Sequence, residues 1–352
     1  MEPMSVIAAS FKTPRKKLVK MAPPDHSQAL RHALQLGFLA LNVWIGIQFY
    51  LFVRYYETGG RSAFAARPAG VEGWLPIASL MNLKILLATG RVPGLHAAGM
   101  FLFIAFVAIS WVFRKGFCAW LCPVGTVSEY LWRFGRRICG HNFRLPRALD
   151  IGLRSLKYIL LGLFLYAVGA MPVAAIRAFL EGPYGMVDDV KMLNFFRFLG
   201  LGGGIVMAIL VIASVFVQNF WCRYLCPYGA LMGAVSAASP LGIRRDANLC
   251  FDCGKCARAC PAVLPVDRLV SIRSAECTGC LECAAACPAA GALFLSTPLR
   301  RKRVPAWAVA AGIVGLFLGI CGYAHWTGHW NSDLPSRAYF ELIPHANEFQ
   351  HP

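Results

Sequence analysis

Eight of the fourteen cysteines in this 352-residue chain fall into two copies of one spacing. Cys250, Cys253 and Cys256 are followed by Cys260 and Pro261; Cys277, Cys280 and Cys283 are followed by Cys287 and Pro288. Runs of this kind hold two 4Fe-4S cubanes on thiolates, the fourth cysteine of each run ligating the other cluster. The spacing therefore predicts one cluster on Cys250, Cys253, Cys256 and Cys287, and a second on Cys277, Cys280, Cys283 and Cys260. The chemistry is transfer of single electrons. Four-cysteine zinc sites usually use two separate Cys-x-x-Cys pairs, not a Cys-x-x-Cys-x-x-Cys run.

Four further cysteines form a second duplicated pattern. Phe117-Cys118-Ala119-Trp120-Leu121-Cys122-Pro123-Val124-Gly125 recurs 104 residues later as Trp221-Cys222-Arg223-Tyr224-Leu225-Cys226-Pro227-Tyr228-Gly229. Cysteines at i and i+4 of a helix share a face. Proline disfavours helix at the residue before it, which places Cys122 and Cys226 at helix ends. If the two copies pack side by side, Cys118, Cys122, Cys222 and Cys226 converge near a membrane surface. Four thiolates complete a ligand set for a third iron–sulfur cluster or another soft metal. Dithiol redox chemistry is the alternative, although i, i+4 cysteines on a straight helix are poorly placed to bond each other. Cys139 and Cys321 lack any matching context and read as small apolar packing residues.

The elements that must position these residues are apolar. Hydrophobic residues make up 57% of the chain, charged residues 15%, and mean hydropathy is +0.54. Five stretches reach the roughly 20 apolar residues that a spanning helix needs: about 34–53, 95–113, 158–180, 201–220 and 304–323. The third contains Pro172, which is expected to kink the span without cancelling it. A further apolar stretch at 74–87, interrupted by Asn82 and Lys84, is expected to lie at the surface or to re-enter partway. After the first cysteine repeat, Val127, Tyr130, Leu131 and Phe134 share a helical face, and Thr126 and Glu129 can form a capping box.

The net charge of +18 could suggest a nucleic-acid binder, but its distribution does not. Alternate loops hold 26 and 9 of the 35 Lys and Arg residues, the pattern of the positive-inside rule. The expected topology has the N-terminus and the cysteine-rich segment in the cytoplasm, where thiols stay reduced, and the C-terminus outside. The expected fold class is therefore a membrane all-α protein of about five spans, internally duplicated, with an inserted α+β two-cluster module. Its parts are a basic arm at 1–33, a membrane region at 34–240, the module at 241–299, and a last span and tail at 300–352.

These motifs resemble the membrane polyferredoxins: NapH, an accessory of periplasmic nitrate reductase, the C-terminal region of NosR, and the oxidase assembly factor CcoG. The likeness covers most of the length. It runs through VRYYET (53–58), GWLPIASLMNLK (73–84), HAAGM (96–100), DVKML (189–193) and WCRYLCPYGALMG (221–233) to ECTGC (276–280). It implies a bacterial inner-membrane carrier, or a subunit of an oxidoreductase, exchanging electrons between a quinone or cytoplasmic donor and a membrane or periplasmic partner. NapH-like proteins have four spans and end after the module, whereas this chain adds a fifth span and a tail. Neither the flavin-binding domain of NosR nor the sandwich domain of CcoG is evident, which weighs against the alternative of a copper- or disulfide-reducing assembly factor.

Other polar residues are less specific. His325 and His329, with Trp326 and Trp330, read as an aromatic belt at the outer end of the last span, and His96 opens the second span. Arg177, Glu181, Asp188 and Asp189 are expected near the outer surface, as a solvated loop or as handlers of quinol protons. There is no nucleotide-binding Gly-rich loop, no Ser/His/Asp set and no Cys-x-x-Cys-His haem motif.

Overall fold

The computed structural model describes residues 20–22, 25–297 and 302–351; most of the expected basic arm lies outside them. Helix α1 (Ser27–Glu57) has 31 residues. At 1.5 Å per residue it is about 46 Å long, well beyond a hydrocarbon core of about 30 Å. Its polar ends therefore reach past both membrane surfaces, while Trp44, Ile47 and Leu51 face outward along its middle. A 3-10 turn (Ala69–Trp74) leads into α2 (Pro76–Thr89), the short helix expected near 74–87, and α2 packs on α3 (Ala97–Val112).

Helix α3 is the centre of the molecule. It touches the 3-10 turn, α2, and two helices described below, and most of its residues are buried in protein. Only 16 residues long, it spans about 24 Å. The stretch at 95–113 is thus apolar because it forms the core. Short α4 (Gly116–Trp120) and α5 (Pro123–Cys139) follow. On α5, Val127, Tyr130, Phe134 and Ile138 are exposed, while Thr126, Glu129 and Trp132 are buried. That inverted face suits an interfacial helix whose apolar side meets lipid. The capping box does not form, because α5 starts earlier, at Pro123, and Glu129 turns to Arg31.

Helix α6 (Arg147–Ala170) is the next long apolar helix. It ends two residues before Pro172; Met171 and Pro172 are extended, and α7 (Val173–Leu180) starts afresh. Pro172 therefore ends the span instead of kinking it, and the span slides toward the N-terminus. Helices α8 (Pro183–Met186) and α9 (Asp188–Arg197) precede α10 (Leu201–Phe216), which is bent 83° from α9. A π-helical turn (Trp221–Leu225) and α11 (Pro227–Ala237) complete the second cysteine repeat.

The cysteine-rich module is a three-stranded antiparallel sheet with two short helices. Strand β1 (Gly242–Arg245) is central; after α12 (Lys255–Ala259) comes β2 (Ser271–Ile272), and after α13 (Glu282–Ala285) comes β3 (Leu293–Ser296). Ile243 lies opposite both Ile272 and Leu295. Leu264, Val266 and Ile272 join the core, and Leu269 and Val270 are exposed. The chain ends with α14 (Ala306–Trp326), packed on α3, and α15 (Ser336–Leu342).

Helices α1, α6 and α14 are long and apolar enough to cross a membrane, and α9 with α10 makes up to four. The fifth expected span is α3, whose apolar surface is covered by protein. One end of α1 meets the module: the Gln28 side-chain amide donates to the Cys280 carbonyl at 3.1 Å, and Met21 bridges to Ala289. At the other end, Tyr55 and Tyr56 stack with Phe340 near α15. The N-terminal segment and the module thus share one side, and the tail lies on the other.

Candidate functional site

In the module, the two cysteine runs fold alike. The third and fifth residues of each run have positive φ: Asp252 (56°) and Gly254 (67°) in the first, Gly279 (63°) and Leu281 (62°) in the second. Such left-handed residues turn successive N–H groups inward, forming a concave nest that suits an anionic guest. Cys250, Cys253, Cys256 and Cys287 line one small cavity. Cys260, Cys277, Cys280 and Cys283 line another. These are the two sets expected from spacing, including the crossed fourth cysteine. All fourteen cysteines are free of disulfides. The donor sets fit two cubanes: four thiols each, around a water-poor hollow.

The four membrane-side cysteines also meet. The helix after α3 breaks at Arg114 and Lys115, both with positive φ, so α4 carries Cys118 and Cys122 falls just beyond it. Cys122 caps α5 and Cys226 caps α11: the Sγ atoms accept the Gly125 and Gly229 backbone N–H groups at 3.4 and 3.2 Å. Cys222 lies in the π-helical turn. The pairs are therefore not i, i+4 on continuous helices; each proline starts a new helix that the preceding cysteine caps. Cys118, Cys122, Cys222 and Cys226 line one cavity of about 690 Å³, and so does Cys280 of the module. Burial pushes the Cys118 thiol up, to about 11, against the opposing pull of Lys115, and the Cys280 thiol up, to about 12, against Arg31. Reactive dithiols are usually shifted the other way; metal loading here would displace the protons.

Buried charges clamp the module to the membrane part beside its cysteines. Arg31 donates to Glu129 and Glu282 at 2.7 and 2.6 Å, and Arg133 also pairs with Glu282. Burial alone would raise Glu129, but the hydrogen bonds from Arg31, His32 and Gln35 together with the charge of Arg31 outweigh this and hold the carboxyl well below the usual range. Glu276, next to Cys277, accepts from Lys157 at 2.7 and 2.8 Å and from the Tyr158 hydroxyl at 3.0 Å. Arg223 in the second cysteine repeat pairs with Asp150 and donates to the Ala262 carbonyl at 3.0 Å. Lys115, Arg31 and Glu276 escaped the sequence reading because each is a lone charge, and lone charges form no pattern.

On the far side, Asp189 is buried and Asp188 half-buried, unlike a solvated loop, while Arg177 and Glu181 are exposed; His96, at the start of α3, is buried. Arg67 donates to Glu72 at 2.8 Å and to Asp189 at 2.7 Å, and Glu72 also accepts the Gly99 backbone N–H at 2.9 Å. Burial would raise Glu72, but the charges and hydrogen bonds of Arg67 and His96 together outweigh it and hold it down at about 2. His329 contacts the Thr327 hydroxyl at 3.1 Å, and Trp326 is exposed, as an aromatic belt requires.

Comparison with known proteins agrees with this geometry. A family model described as a 4Fe-4S binding domain matches residues 95–141 and 199–245, which hold the two membrane-side cysteine pairs. A 4Fe-4S dicluster domain model matches 242–296. The chain is 49% identical over 326 residues, 91% of both chains, to YccM of Escherichia coli (strain K12), a candidate electron transport protein. It is 30% identical to the regulatory protein NosR of Pseudomonas aeruginosa over 57% of this chain and 29% of that one. It is 25% identical to the ferredoxin-type protein NapH of Escherichia coli (strain K12) over 56% of this chain and 67% of that one. No solved structure matches.

Proposed function

The chain belongs to the membrane polyferredoxin family represented by YccM, and from that premise we propose that it relays electrons through three 4Fe-4S clusters. Iron–sulfur electron transfer by a membrane protein is the family's common chemistry. Cys250, Cys253, Cys256 and Cys287 would hold one cluster, Cys277, Cys280, Cys283 and Cys260 the second, and Cys118, Cys122, Cys222 and Cys226 the third. Clusters supply one-electron exchange; the chain's own residues hold them close together, exclude water and fix the charge around them.

One observation carries this reading. Cys280 and the four membrane-side cysteines line a single cavity, so the module's second ligand set abuts the third without intervening protein layers. The same cavity is mostly apolar and reaches Trp44 and Trp74, with Asn42 and Gln48 among its polar groups. Its volume falls in the usual range for small-ligand sites, about 300–1,000 Å³. A membrane quinone fits it, as donor or acceptor, exchanging two electrons one at a time with the cysteine site. The protein is then a carrier in the bacterial inner membrane, with its N-terminus and module in the cytoplasm, its tail in the periplasm, and a redox protein as its other partner.

Iron counting tests this. Anaerobically purified protein should hold about twelve irons per chain, against about eight for the module alone. Cys118→Ser and Cys222→Ser should each remove one cubane signal from the Mössbauer spectrum and leave two. Eight irons, unaltered by either substitution, would exclude a third cluster and point to thiol chemistry of the assembly-factor kind.

A further inference from the structure

The duplicated cysteine site is not symmetric in charge. Three residues before the first cysteine of each repeat stand Lys115 and Asn219. Both have positive φ, 44° and 51°, and both line the shared cavity. Asparagine occupies the left-handed region readily; lysine does so at a cost. Strain of this kind persists where surrounding structure enforces it, and it gathers at functional sites. Asn219 is neutral and accepts a hydrogen bond from the Ser128 hydroxyl at 3.3 Å. Lys115 is only 4% exposed. Its ammonium lies over Gly233 of α11, where an added Cβ would come within 3.6 Å of Nζ.

That ammonium has no hydrogen-bond or ion-pair partner among the described residues. The nearby Glu276 is already engaged by Lys157 and Tyr158, so two buried ammonium groups share one carboxylate and a positive charge is left over. A buried charge short of a full counter-ion is expensive. The charge of Lys115 acts on Glu276 and also on the sulfurs of Cys118, Cys222 and Cys226, and all of these line the same cavity. Four thiolates around a cubane form a complex of net negative charge, and a cation held beside it favours the reduced form.

We propose that Lys115 is the fixed counter-charge of the Cys118/Cys122/Cys222/Cys226 site and raises its reduction potential above that of an uncharged site. The assignment rests on the three-cluster reading. It favours transfer from the Cys277/Cys280/Cys283/Cys260 set, which is oxidised by one electron, to the membrane site, which is reduced by one.

The test is an EPR-monitored redox titration of intact, anaerobically purified protein. Lys115→Asn copies the second repeat and relieves backbone strain, so a purely structural lysine would be replaced without loss. The expected result is that, at a fixed potential, the ratio of reduced to oxidised membrane cluster falls about tenfold or more, each tenfold being 59 mV for one electron. The cluster on Cys250, Cys253, Cys256 and Cys287 should stay put, and Lys115→Arg should keep the native value. An unmoved membrane signal in Lys115→Asn, or an equal shift of all three signals, overturns the role of Lys115 while leaving the third cluster standing. A native protein with no third signal overturns both.

Discussion

Single buried charges set the behaviour of this protein at the residue scale. Glu72 is fully buried and ion-paired with Arg67 on the far side. Its folded pKa, about 2, lies below the unfolded value of about 4.3. The pair's contribution is therefore complete above about pH 4.3 and is lost as pH falls from there toward 2, an effect on the order of 3 kcal/mol. Hydrogen-exchange protection of residues 67–99, taken relative to the intrinsic amide rate at each pH, should fall through that window in the native protein. In Glu72→Gln protection should be lower already at pH 7 and should change little on acidification. A native protein whose protection in this segment ignores pH between 5 and 3 would count against the assignment. None of this was legible beforehand. Arg67 and Glu72 are five residues apart across a turn, and Asp189 arrives from more than a hundred residues away, so only the fold makes them neighbours.

At the scale of elements, the two cysteine repeats look equivalent in sequence and differ in packing. Gly125 sits so close to the preceding turn that an added Cβ would be 2.4 Å from the Cys118 carbonyl oxygen, a distance real Cβ atoms do not reach. Gly229, its counterpart, has nothing nearer than 3.6 Å. On the proposed three-cluster reading, Gly125→Ala should therefore pry Cys118 from Cys122 and cost the membrane site its iron, bringing the content from about twelve toward about eight per chain. Gly229→Ala should retain full occupancy. Equal iron in the two variants would show that α4 and α5 yield without disturbing the sulfurs. What the sequence disclosed at this scale follows the same logic. Spacing along the chain picked out the cysteines that the structure gathers around three cavities, because the pattern recurs at fixed offsets. It misjudged where helices stop. Hydropathy cannot distinguish α3, apolar because protein surrounds it, from α1 or α14, apolar because lipid does. It also misread Pro172 as a kink, although an extended Met171 and Pro172 end the helix outright.

On the scale of the whole molecule, two ends of one helix decide the sidedness. Arg31 near the start of α1 is locked to Glu129 and to Glu282 of the module, and Ala22 donates to the Pro288 carbonyl at 2.9 Å. At the other end, Phe52 and Tyr56 meet Tyr339 in the tail. On the reading that α1, long and apolar enough to cross a membrane, does so, the module and the tail are on opposite sides whichever way the protein is inserted. The orientation proposed above, with the module in the cytoplasm, rests on the imbalance of 26 against 9 basic residues. Protease added to spheroplasts should remove epitopes in the tail at 328–351 and spare those at 250–287; inverted vesicles should give the reverse. Cleavage of both segments from one side would break the link between α1 and the two faces and with it the relay, since the cavity that joins Cys280 to Trp74 would no longer run from the inner surface toward the outer one.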